Sequence, residues 1–102
     1  MATIPDALAA APGAYMLLLE NEKVRALDLR LKPGQKAPMH DHPSAHLVYI
    51  LSSARVKLTF PDGKGTTLDL AAGQTVWMEA GAHETENVGT TEAHNLVVEV
   101  KK

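Results

Sequence analysis

Hydrophobic and polar residues alternate along most of this chain, in short runs that stop at Gly, Pro, Asn or Asp. A period of two puts successive side chains on opposite faces of an extended strand. Val24 to Leu31 (VRALDLRL) sets Leu27, Leu29 and Leu31 on one side and Asp28 and Arg30 on the other, then stops at Lys32-Pro33-Gly34. Arg55 to Phe60 is the cleanest strand, with Val56, Leu58 and Phe60 inward and Arg55, Lys57 and Thr59 outward. Pro61-Asp62-Gly63-Lys64 predicts a hairpin there, because Gly accepts the positive φ that a tight return needs. Thr66 to Leu70 answers it.

After the turn at Ala71-Ala72-Gly73 come Thr75 to Met78, His83 to Val88 and Asn95 to Val100. His46 to Leu51 is apolar on both sides after its histidine, and Tyr15 to Leu19 adds a strand at the front. That makes about eight strands in 102 residues, with turn signals every 8–12 residues, the pattern of a sandwich or barrel rather than of βαβ units. Asp6 to Ala11 is the one helix candidate, cut off by Pro12-Gly13. The chain reads as one all-β domain, 1–102, with a lead over 1–14 and the barrel over roughly 15–100.

Composition removes several function classes. With no cysteine there is no disulfide framework, thiolate zinc site, iron–sulfur cluster or cysteine nucleophile, which fits a reducing, cytoplasmic setting. Ten Lys and Arg against twelve Asp and Glu lack the basic excess that nucleic-acid binding needs, and four aromatics are too few for a base-stacking platform. The start carries no basic region before Pro5 and Asp6, so a secretory signal is not expected. The longest strongly apolar run, Met16 to Leu19, is far short of a bilayer span, so no membrane partner is expected.

The candidate chemistry lies in the histidines. Four of the five fall in two places, His40-Asp-His42-Pro-Ser-Ala-His46 and His83. In an extended strand, positions 40, 42 and 46 share a face, and without cysteine imidazole is the commonest metal ligand. Spacing alone leaves two readings open: a metal site, or histidines satisfied within the barrel. His94 has no partner in sequence and reads as a solvated residue at a strand start.

The stretch Gly34 to Ser53 resembles the first motif of the cupin family, G-x5-H-x-H-x3-E-x6-G. Gly34, His40 and His42 are in register, His46 stands at the usual glutamate, and Ser53 replaces the last glycine. Gly73 to Asn87 is similar to the second motif, G-x5-P-x-G-x2-H-x3-N: Gly73, Gly81 and Asn87 match, Glu79 replaces the proline, and His83 comes one residue early.

The resemblance implies a double-stranded β-helix, or jelly-roll barrel, with His40, His42 and His83 as metal ligands. His46 in place of the glutamate would make an all-imidazole site of net charge +2, suited to Fe, Ni, Zn, Cu or Mn. It implies a metal-binding protein with a small molecule in the barrel, as an oxygenase acting on a small organic acid or diketone. The alternative is a non-enzymatic module that binds a metal or small molecule. Glu79, Glu84 and Glu86 are expected to be solvated loop charges, and Trp77 to wall the pocket or join the core. A homodimer is expected through the outer face carrying Leu47, Tyr49 and Leu51, or through the N-terminal lead.

Overall fold

The computed structural model describes residues 3–101. The first two residues of the lead and Lys102 lie outside the described residues. Among the described residues there are one short helix, α1 (Ala7–Ala10), and nine strands. The strands are β1 (Tyr15–Glu20), β2 (Val24–Leu31), β3 (Lys36–His42), β4 (His46–Ser52), β5 (Ala54–Thr59), β6 (Gly65–Leu70), β7 (Thr75–Met78), β8 (Gly81–Asn87) and β9 (Ala93–Val100). Asp6 starts the helix by accepting a hydrogen bond from the backbone N–H of Leu8 at 3.3 Å.

All pairings between these strands are antiparallel. They form a five-stranded sheet in the order β1-β2-β9-β4-β7 and a four-stranded sheet in the order β3-β8-β5-β6. Inward residues at every second position build the core between the sheets: Leu27, Leu29 and Leu31 of β2, Ile50 of β4, Val56 of β5 and Val97 of β9 are all buried. The turns take the chemistry the sequence offers. Pro33-Gly34 forms a tight turn with Gly34 at φ 84°, closed by the N–H of Gln35 bonding to the carbonyl of Lys32. Gly63 returns β5 into β6 at φ 87°.

The all-β reading stands, with one strand more than the expected eight. The extra strand is β3, and its inward residues explain why alternation did not expose it. They are Ala37, His40 and His42, with a bulge between Ala37 and His40 that changes their parity. Among the described residues no helix is long and apolar enough to cross a membrane.

Candidate metal centre

His40 and His42 alternate along β3, so both side chains enter the barrel, and neither has more than 1% of its surface exposed. The β3–β8 register sets His83 directly opposite His40. One ring nitrogen from each of His40, His42 and His83 lies within 4.8 Å of the others, and all three residues are buried. Three imidazoles at this spacing can enclose a single ion.

His46 does not continue the strand of His40 and His42. Pro43-Ser44-Ala45 carries the chain across to the five-stranded sheet, where His46 begins β4. Its side chain still faces inward, and its ring stacks on that of His42 with centroids 4.3 Å apart. The structure thus brings all four expected histidines together from two sheets, three of them as the tight nitrogen cluster.

Each of three rings is oriented through its Nδ1. The Nδ1–H of His40 donates to the carbonyl of Pro38 at 2.7 Å, that of His42 to Glu99 at 2.8 Å, and that of His46 to the carbonyl of Ser44 at 3.1 Å. This fixes the tautomer and turns the Nε2 lone pair of each ring toward the barrel interior, free in His42 and His46 and engaged by a hydroxyl in His40. The hydroxyl of Tyr15, on β1, donates to Nε2 of His40 at 3.1 Å. Burial pushes the Tyr15 phenol up, with the charge of Glu99 adding to it, so the hydroxyl keeps its proton.

Burial favours the neutral form of His40, His46 and His83. Burial, then the neighbouring histidines, push His83 down to about 3. His40 and His46 are lowered for the same first reason, against the opposing pull of their backbone hydrogen bonds. Neutral imidazole is the form that binds a metal.

Glu99 is the one buried carboxylate at the site. Burial alone would raise it, but hydrogen bonds from His42 and Arg25 outweigh that and bring it down to about 2. Arg25 donates to Glu99 at 2.7 Å and to Asp6 at 2.6 Å, which ties the N-terminal lead to the centre. Glu99, Arg25 and Asp6 together carry a formal charge of −1, which would offset part of the charge of a divalent ion on the imidazoles.

The barrel interior beside the histidines is a cavity of about 50 Å³ that opens to solvent at its mouth. Its polar lining is Tyr15, His42, His46, His83, Thr85 and Asn95, and the rest is aliphatic. Among the described residues no Lys or Arg lines it.

Several other expectations need correction. His94 is not a solvated residue without a partner: it is half-buried and lies 2.6 Å from Asp28, because the β2–β9 register seats it opposite Arg30. Trp77 neither walls the cavity nor joins the core, since it points outward from β7 with 55% of its surface exposed. Glu79 is exposed between strands, whereas Glu84 and Glu86 belong to β8 and face outward, Glu84 lying 3.5 Å from Lys36. Asn87 is structural, its amide donating to the carbonyls of Leu31 and Thr91.

Glu99, Tyr15 and Asn95 escaped the sequence reading as site residues. The available signal was in β9, where Asn95 and Glu99 share with Val97 a face that is otherwise apolar.

The family profile described as Cupin domain matches residues 27–99. No curated protein sequence matches the chain. Among solved structures, a cupin domain from Bordetella pertussis Tohama I superposes with a TM-score of 0.80 at 23% identity, covering 100% of both chains. A conserved protein of unknown function from Streptococcus pyogenes is 29% identical with a TM-score of 0.64, over 86% of this chain and 73% of that one. A polyketide cyclase from Streptomyces resistomycificus is 19% identical with a TM-score of 0.67, over 97% of this chain and 75% of that one. The two-sheet barrel is the double-stranded β-helix of these structures.

Proposed function

The chain belongs to the cupin domain family, and from that premise we propose that it is a metal-dependent cupin acting on a small molecule held in its barrel. His40, His42 and His83 hold one divalent transition metal, with His46 as a fourth ligand; Fe, Ni, Zn and Cu suit an all-imidazole set, and Mn suits it less well. The observation that carries this reading is the convergence of three buried imidazoles within 4.8 Å. A metal there supplies Lewis acidity and, if redox-active, electron transfer to bound oxygen species.

The rest of the chemistry belongs to the chain. Glu99, Pro38 and Ser44 aim the rings, and the Tyr15 hydroxyl offers a proton donor at the edge of the cluster. The aliphatic walls keep bulk water from the bound molecule. The reaction we favour is oxygenation of a small organic acid or diketone, carried out by a cytoplasmic homodimer.

Elemental analysis of untagged protein, followed by O2 uptake by the Fe(II)-loaded form with a panel of small acids and diketones, tests the two halves separately. Close to one metal per chain and substrate-dependent uptake support both halves. Metal without uptake leaves a binding protein, and no metal after loading overturns the proposal.

A further inference from the structure

The cavity contains a polar group that the metal centre does not use. Asn95 points inward from β9 in one cross-strand row with Tyr15, Leu29 and Ile50. It is 95% buried by its 5% exposure, and its carboxamide oxygen has no hydrogen-bond partner. Burying an acceptor without a partner is unfavourable, and Leu would fill this aliphatic row without that penalty. Such a group in a cavity wall has the character of a ligand contact waiting for its donor.

Position sets what that donor belongs to. Asn95 lies four residues from Glu99 on the same face of β9, about 13 Å along an extended strand. His42, His46 and His83 line the same cavity as Asn95, and aliphatic side chains make up most of the remaining wall. The free space suits a molecule of only a few heavy atoms. With no Lys or Arg in the lining among the described residues, a second negative charge would go unmatched.

We propose that Asn95 is the specificity anchor of the cavity, accepting a hydrogen bond from a hydroxyl or N–H on a short, apolar-bodied ligand whose oxygen head faces the histidines. The ligand class is a small molecule of at most one negative charge, with a donor at the end away from that head. This rests on the metal reading only for what the head meets; the Asn95 contact stands without it.

The test uses matched probes in two arms. Zinc-loaded protein is titrated calorimetrically with 4-hydroxybutyrate, butyrate and succinate. Metal-free protein is titrated with 1-butanol and 1-fluorobutane, followed by NMR through the backbone amides of β9 in wild type and variant alike. Wild type should favour each hydroxyl probe about tenfold over its partner, and succinate should bind most weakly. In Asn95→Leu the hydroxyl preference should vanish while zinc stoichiometry is unchanged. If wild type shows no preference, or Asn95→Leu keeps it, the amide holds only a water and the inference is overturned. Failure to bind zinc sinks the metal reading instead, and the metal-free arm still decides the role of Asn95. Should the Leu variant misfold, the Asn95 side-chain amide of wild type decides: a shift with 1-butanol and not with 1-fluorobutane supports the contact, and equal or absent shifts overturn it.

Discussion

Glu99 accepts the Nδ1–H of His42 on one carboxylate oxygen at 2.8 Å, while its other oxygen holds Arg25 at 2.7 Å. The carboxylate thus fixes the tautomer of one proposed ligand and raises its basicity, and Arg25 in turn keeps the carboxylate charged. Asp6 completes the chain at 2.6 Å from Arg25.

Replacing Glu99 by Gln keeps a carbonyl for His42 but removes the charge that answers Arg25. Zinc affinity should fall about 10- to 100-fold, the usual effect of losing such an outer partner. Stability should fall by about 3 kcal/mol or more, because Arg25 is left half-paired beside a buried site. Competition titration with a chelator and urea denaturation measure the two effects. Unchanged zinc affinity would show that the His42–Glu99 pair is structural only.

Glu99 also marks where the sequence stopped being informative. Strands such as β2 and β5 were legible because their inward residues are aliphatic, so period and burial agree. β3 was not, because its inward positions hold imidazoles and its bulge breaks the period. The four histidines were legible as a group through spacing and resemblance. Their supports were not: Glu99 meets His42 across 57 residues and Tyr15 meets His40 across 25, and only the folded register joins them.

Stability of the metal-stripped protein should drop on acidification. The folded pKa values of His40, His46 and His83 lie below the ordinary 6.5, that of His83 at about 3. Between those values the unfolded chain binds more protons than the folded one. Stability is therefore full above about pH 6.5 and declines below it, for His83 as far as about pH 3 at up to about 1.4 kcal/mol per pH unit, with His40 and His46 adding losses in the same direction. Glu99, held at about 2 against 4.5, adds a loss in the same direction below pH 4.5. Thermal melts from pH 8 to pH 5 should show a plateau, then a falling midpoint. A midpoint that rises on acidification would contradict neutral, buried histidines.

The histidine series separates ligands from lining. His40→Ala, His42→Ala and His83→Ala should each cut metal content steeply and remove the metal-dependent part of thermal stability. His46 stacks on His42 but stands outside the tight nitrogen cluster, so its variant is the informative one. As a fourth ligand, His46→Ala should cost occupancy like the others; as lining, it should retain it. His94→Ala should leave metal content unchanged, since its partner is Asp28 on the outer face. Wild-type occupancy in the His40 and His83 variants would remove the metal assignment.

The outer face of the five-stranded sheet should be a homodimer contact. Leu47, Tyr49 and Leu51 are 36%, 39% and 44% exposed there, and the β4–β7 register sets Trp77 beside Leu47. Val98 pairs with Leu47 on its other side, so the apolar surface continues across strands. Five strands at about 4.8 Å spacing and about 20 Å length present a projected face of roughly 500 Å². That is below the ~800 Å² per partner of a standard interface. β1, the edge strand of that face, carries the exposed apolar side chains Met16, Leu18 and Leu19, so side chains at an edge that would otherwise invite aggregation reinforce the contact. Light scattering at micromolar concentration should therefore give twice the chain mass. Leu47→Lys combined with Trp77→Glu should yield a monomer with an unchanged far-UV spectrum, and Leu18→Lys alone should weaken the dimer about tenfold or more. Since none of these residues lines the cavity, metal content should stay at the wild-type level throughout. A wild-type protein that scatters as a monomer would refute the contact and leave this apolar face without a partner.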